Sequence, residues 1–304
     1  VTDVQLRDMT IDDVPAVARI RAAAYPWMVA SVDNQRNWFR TVRPQARAMR
    51  LVAEVGGEVV GFGTGGFNLS TAEQAAAEVN VAVLPDARRQ GTGTALYASI
   101  EAHLREIGAR RVRAYVPDEP ANLSWAAGHG YAEGARDRYS ELRTGSLPPM
   151  PPIPAGVELR SIAEVGPEAV YALDMAASID EPGDMTYDGL PYELWLHRYW
   201  QSPDMQHEAS TVVVVDGVPA CGTFLEGDPA TGRCTSTGTC TLRDYRGRGL
   251  AKLAKSAALR KAHEAGLHTA ITCNDYTNGP MVAVNDWLGY RVTAAEWSML
   301  KQLS

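Results

Sequence analysis

Two short basic turns carry the clearest chemistry in this chain: Arg88-Arg89-Gln90-Gly91-Thr92-Gly93 and, much later, Arg246-Gly247-Arg248-Gly249-Leu250-Ala251. Each follows a run rich in β-branched residues, at 79–84 or 237–242. Each then opens a stretch whose apolar residues recur at helical spacing: Leu96, Ile100, Leu104 and Ile107 after the first, Leu250, Leu253 and Ala257 after the second. A strand, a glycine turn and a helix start together leave several main-chain N–H groups unpaired at the positive end of the helix dipole, which suits a phosphate or pyrophosphate. Gly91 and Gly249 lack the Cβ that would keep an anion off the backbone, and Arg88, Arg89, Arg246 and Arg248 add charge beside it. Neither turn has the spacing of a nucleoside triphosphate loop or of a dinucleotide fingerprint, so those two chemistries are disfavoured.

The elements that must position these turns occur twice. Each half opens on a short amphipathic strand (residues 4–7 and 157–160) and continues through helical sequence to a β-hairpin, turning at Gly56-Gly57 or Asp216-Gly217. After the basic turn, the helix stops at Gly108 or Gly266, a C-terminal cap position. A further strand follows at 112–116 or 269–273, then a short helix ending in Gly130-Tyr131 or Gly289-Tyr290. The proline-rich segment 146–156 lies between the copies and favours an extended, semi-rigid path. The expected organisation is therefore a domain at 1–145, a linker at 146–156 and a second domain at 157–304.

Composition narrows the function classes. With 304 residues, 45% apolar and 21% charged, the chain is long enough for two folded cores. Its 29 Lys and Arg against 36 Asp and Glu give a formal charge of −7, the wrong sign for attracting a phosphate backbone, so no nucleic-acid partner is expected. No apolar run reaches membrane-spanning length, and the first residues are charged where a signal peptide would be apolar, so no membrane association and a cytoplasmic location are expected. Four cysteines without paired spacing argue for buried thiols and against a metal site.

The motif Arg-x-x-Gly-x-Gly at Arg88, and more closely Arg-x-x-Gly-x-Ala at Arg246, resembles the pyrophosphate loop of the GNAT superfamily of N-acetyltransferases. The segment 278–290 is similar to that superfamily's second coenzyme-binding stretch, as is the shorter 122–131. Because both halves carry the likeness, the chain resembles a tandem GNAT protein. The resemblance implies an α+β fold, with a mixed, mainly antiparallel sheet in each domain and helices on both faces. The sheet would splay between its fourth and fifth strands to admit acetyl-CoA, and such a repeat allows one molecule per domain. Implied coenzyme-binding residues are Val81, Ala82, Val83, Arg88 to Gly93 (Arg88, Arg89, Gln90, Gly91, Thr92, Gly93), Thr94 and Asn122 in the first half. In the second they are Thr239, Cys240, Thr241, Arg246, Gly247, Arg248, Gly249, Leu250, Ala251 and Asn278.

The implied activity is transfer of an acetyl group to a small-molecule amine by direct attack on the thioester, with the second half as the transfer site. The alternative is an acyl-CoA-binding module in which one or both domains are catalytically silent. Many members of the superfamily place a tyrosine seven residues after the leading Asn of the second segment, as general acid; here those positions hold Ala126 and Asn285. Tyr276 is another acid candidate, and Glu78 a candidate base whose second-half counterpart is Ser236. His197 and His207 are further base candidates. Between Asp174 and Glu208, eight acids (Asp174, Asp180, Glu181, Asp184, Asp188, Glu193, Asp204, Glu208) face only Arg198, a charge balance that would draw a cationic amine. The corresponding first-half stretch carries Arg36, Arg40, Arg43 and Arg47 and would repel one, although Pro44 argues against a single unbroken helix there. Trp195, Tyr199 and Trp200 read as core aromatics.

Overall fold

Twelve strands form one mixed sheet in the computed structural model, which describes residues 4–178, 180 and 189–303. In the first half these are β1 (Val4–Asp8), β2 (Met49–Val55), β3 (Glu58–Phe67), β4 (Ala76–Val83), β5 (Arg111–Pro117) and β6 (Ala132–Arg143). Helices α1 (Val14–Ala24) and α2 (Val32–Arg40) precede β2, α3 (Thr92–Glu106) joins β4 to β5, and α4 (Pro120–Gly128) joins β5 to β6. The second half repeats this order. Strand β7 (Val157–Ser161) is followed by α5 (Ile162–Val165), α6 (Pro167–Ser178), α7 (Tyr192–Trp195) and a wide helical turn at Leu196–Trp200. Then come β8 (Thr211–Val215), β9 (Val218–Asp228), β10 (Arg233–Thr241), α8 (Leu250–Glu264), β11 (Thr269–Asp275), α9 (Gly279–Leu288) and β12 (Arg291–Gln302).

Local chemistry explains most of these boundaries. The β2–β3 and β8–β9 hairpins turn with positive φ at both central residues, Gly56 (60°) and Gly57 (83°), Asp216 (47°) and Gly217 (84°), the geometry whose twist matches paired strands. Leu96, Ile100 and Leu104 of α3 are fully buried one turn apart, and the helix lies close enough to β3 that a Cβ on Gly65 would meet Ile100 Cγ2 at 2.3 Å. Helix α2 ends at Arg40 and a separate short turn begins at Pro44, so the four first-half arginines do not share one helical stripe. The linker is held against the second half: Arg260 Nη2 donates to Pro148 O at 2.6 Å, and Met150 packs on the cluster around Val213 and Leu250.

The sheet order is β1-β2-β3-β4-β5-β12-β6-β11-β10-β9-β8-β7. The last strands of the two halves are exchanged: β12 pairs with β5 of the first half, and β6 pairs with β11 of the second. β6 and β12 also pair with each other, so the halves share a continuous ladder through the middle. This crossing is invisible in the repeat, because an exchanged strand needs the same apolar pattern as one paired at home. In each half the parallel pair diverges after four residues. β4 pairs with β5 from Ala76 to Val79, and β10 with β11 from Arg233 to Ser236, which leaves 80–83 and 237–241 without a neighbour on that side.

Candidate active site

In the second half, the gap beyond Ser236 opens into a cavity of about 970 Å³. Its walls are residues 236–241 of β10, residues 272–274 of β11, the start of α8, and the N-terminal part of α9 including Asn278 and Met281. β10 carries a bulge between Ser236 and Gly238, where its register against β9 shifts. A bulge re-aims main-chain groups out of the ladder. β4 runs through the same stretch in unbroken register with β3. Ser236 Oγ lines the cavity and is buried without a hydrogen-bond partner, so the wall offers an unused polar atom there.

The second basic turn forms the cavity's rim. Gly247 (φ 75°) and Gly249 (φ 76°) are left-handed, and a Cβ on Gly249 would meet only open space. Among the described residues, no protein group accepts from the main-chain N–H of Gly247, Arg248, Gly249, Leu250 or Ala251. These amides sit at the positive end of a 15-residue helix whose own geometry cannot satisfy them. Arg246 has a more structural part than its charge suggests: Nε donates to Thr241 O at 3.0 Å, and the guanidinium pairs with Asp180, which also pairs with Arg243. These two arginines hold the Asp180 carboxyl far below the usual range. Arg88 makes the equivalent tie in the first half, Nε to Val83 O at 3.0 Å, so both arginines lock their turn to the end of the strand.

The cavity floor holds a titratable group that the sequence reading passed over. Lys255, on the buried face of α8, has only 1% of its surface exposed and lines the cavity. Its Nζ donates to Asn285 Oδ1 at 2.8 Å and Thr272 Oγ1 at 3.4 Å, and lies 5.2 Å from the Tyr290 ring centroid. Asn285 Nδ2 in turn donates to Asn274 Oδ1 at 2.6 Å. With no carboxylate among these neighbours, burial pulls the Lys255 ammonium down to about 7. Asn285 therefore holds the lysine and sits behind the cavity wall. The signal was a Lys at a core position, between Leu253, Ala254, Ala258 and Leu259 on the apolar stripe of α8.

The first half fills the same place with rings. Tyr97, at the matching position of α3, stacks edge-on against Trp125 and His129 at 5.3 and 4.8 Å and donates to Tyr131 Oη at 3.3 Å. Lys301 of the exchanged β12 caps this group, with Nζ 3.1 Å from Tyr97 Oη and 2.9 Å from Glu101. The main-chain N–H groups of Arg89, Gly91, Thr92, Gly93 and Thr94 are unengaged, as in the second half, yet this turn lines neither of the two cavities described here. Asn122 N donates to Glu119 O at 3.0 Å at the start of α4.

The structure separates the other candidates. Glu78 is ion-paired with Arg113 and accepts from Asn68 Nδ2 at 3.0 Å, so its carboxylate is committed within the first half. Tyr276 is exposed, with the Arg136 guanidinium 4.6 Å over its ring, and does not line the second-half cavity. His197 and His207 lie outside that wall too. Of the described acids in the stretch, only Asp174 and Asp180 reach the cavity; Asp174 accepts from Trp195 Nε1 at 2.8 Å, and Asp204 is instead buried, accepting from Ser31 N. Glu181, Asp184 and Asp188 lie outside the described residues. Trp195, Tyr199 and Trp200 form an aromatic wall of the cavity, a use that helical spacing alone did not separate from core packing. Cys221, Cys234 and Cys240 are buried and Cys273 is exposed. Among the described residues no His, Cys, Asp or Glu cluster suits a metal, and no helix is long and apolar enough to cross a membrane.

The chain is similar to known acetyltransferases. The acetyltransferase (GNAT) family model matches residues 14–131. The mycothiol acetyltransferase of Catenulispora acidiphila is 27% identical over 255 residues, covering 81% of this chain and 78% of that protein. Over its first half the chain is thus similar to GNAT acetyltransferases, and over most of its length to a mycothiol acetyltransferase. Its tandem arrangement is matched by a tandem GNAT protein from the clavulanic acid biosynthesis pathway, with TM-score 0.75, 21% identity, and 99% and 98% of the two chains covered. A GCN5-related N-acetyltransferase from Sphaerobacter thermophilus superposes with TM-score 0.73 at 18% identity, over 98% and 95% of the chains. The GNAT family model falls on the first half, whereas the large cavity opens in the second.

Proposed function

We propose that this protein is an acetyl-CoA-dependent N-acyltransferase of a small-molecule amine, with its transfer site in the second half and a first half that does not transfer. The observation that carries the reading is the continuity of one cavity from the unengaged amides of 247–251, past the bulged edge of β10, to Lys255. Those amides suit a diphosphate, and the unpaired edge of Thr239, Cys240 and Thr241 suits an amide-bearing arm lying between β10 and β11. Asn278 caps α9 beside them, its side chain accepting from Met281 N. Bound acetyl-CoA would supply an activated acyl carbon.

The chain's own groups do the rest. Main-chain donors at the bulge stabilise negative charge on the acyl oxygen as the amine attacks. As the carbon–sulfur bond breaks, Lys255 gives a proton to the departing sulfur and takes one back from solvent; an ammonium pulled to about 7 is matched to that exchange at neutral pH. The amine's own proton leaves to water. Trp195, Tyr199 and Trp200 with Asp174 provide an aromatic, partly acidic wall on which a cationic acceptor can rest. The first half is silent in transfer because Tyr97, Trp125 and His129 occupy the place of the open floor.

Free-thiol release from acetyl-CoA across a panel of amines, with purified protein, tests the reading. Release that depends on an amine and is lost in Gly249→Trp supports it. Calorimetric acetyl-CoA binding with no release from any amine would select the binding-module alternative instead.

A further inference from the structure

A second cavity, of about 330 Å³, lies in the first half between α1, α2 and the face of β2, β3 and β4. It shares no residue with the second-half site. Its walls are largely apolar and aromatic, with Trp38, Phe39, Phe67 and Tyr115, but two arginines enter it. Arg21 of α1 lies 4.7 Å from the Phe62 centroid and 5.8 Å from that of Trp38, and among the described residues it has neither an ion pair nor a hydrogen bond. Arg50 of β2 stacks 3.9 Å over the Phe39 ring and spends one N–H on Phe39 O at 2.7 Å, and among the described residues it has no carboxylate partner. The third charged lining residue, Glu78, is neutralised by Arg113.

Removing a guanidinium from water without an anion is costly, and burial destabilises the charged form of both residues. Two buried acceptors in the same wall, Gln35 Oε1 and Asn80 Oδ1, also lack a hydrogen-bond donor. Unanswered positive charge, unanswered acceptors and aromatic walls are complementary to one kind of molecule. We infer that the first half binds a small organic carboxylate that also carries an N–H or O–H donor and an apolar or aromatic body, with Arg21 and Arg50 taking the carboxylate and Gln35 and Asn80 the donor. This site is separate from amine acetylation in the second half, and it selects the opposite charge.

The experiment uses the full chain and two probes, N-benzoylglycine and 3-phenyllactate, each against its neutral primary amide, by calorimetry and thermal shift. Saturable binding of at least one acid, with its amide weaker by about tenfold or more, is expected, since a charge-assisted contact is lost. Arg21→Gln and Arg50→Gln should each weaken the acid by a similar factor, while leaving coenzyme A binding unchanged. That last readout keeps failure here distinct from failure of the second-half reading. Equal binding of acids and amides, no binding of either acid, or unchanged acid binding in both variants would overturn the proposal.

Discussion

Replacing Lys255 with Met removes the buried ammonium from the cavity floor while keeping nearly the same volume. In the folded chain its ammonium is pulled to about 7, against 10.5 for the exposed side chain. Between those values the unfolded chain holds one more proton than the folded chain, so stability rises with pH through that window, by about 1.4 kcal/mol per pH unit. The full span is worth about 5 kcal/mol. Below the folded value both states are protonated and this contribution is flat. Met also strips Asn285 Oδ1 of its donor, a pH-independent cost of about 1–3 kcal/mol that shifts the curve without tilting it. Urea unfolding of both proteins from neutral pH to about pH 10 isolates the effect in the difference curve, because all other titrations cancel. Wild type should gain on the variant at each step above neutrality. Parallel curves would show that Lys255 keeps an ordinary proton affinity, and would remove it as the group that exchanges a proton at the sulfur.

Glu296 gives the opposite slope. Burial on the exchanged strand β12 raises its carboxyl to about 7 from an ordinary 4.5, against the lowering effect of the Tyr139 hydroxyl. The folded chain then holds the extra proton, and the stabilisation present below the unfolded value is lost as pH rises through the folded one. Relative to Glu296→Gln, wild type should lose about 3 kcal/mol between these two pH values, read by the same unfolding assay; a constant difference would contradict the burial argument. Strand exchange makes a separate forecast: cutting an engineered protease site in 146–156 should leave both fragments co-eluting in size exclusion, since β12 remains laddered to β5 and β6 to β11. Two fragments eluting apart as folded monomers would contradict the sheet order. In turnover, kcat of Lys255→Met with any accepted amine should fall about tenfold or more and lose its dependence on pH near neutrality; an unaltered profile would exclude proton donation.

Much of this molecule was legible in the chain because its local signals are stereochemical. Glycines with positive φ at 56, 57, 91, 108, 249 and 266 had to mark turns and caps, and the duplicated order of those marks gave two copies of one supersecondary plan. The strands diverge after 79 and 236 and the amides after Gly249 are unengaged, features set by the same turns. Three features were hidden for physical reasons. Exchange of β6 and β12 depends on which equivalent edge each strand meets, and both edges demand the same alternation. Lys255 is one of several cations on α8, and only its place on the apolar stripe marks it as facing inward. The difference between the halves rests on side-chain volume at Tyr97 and Trp125, which no spacing rule reads. The acidic stretch misled in the other direction: charge density along a chain does not say which carboxylates reach one cavity, and Asp180, which does, is spent on Arg243 and Arg246.

The most direct test of the central claim is calorimetric titration of the intact chain with coenzyme A, alongside Gly91→Trp and Gly249→Trp. Each substitution places a bulky side chain at a left-handed position facing open space at a helix start. One molecule per chain should bind, unchanged by Gly91→Trp and abolished by Gly249→Trp. Binding that survives Gly249→Trp, or that disappears with Gly91→Trp alone, would contradict it.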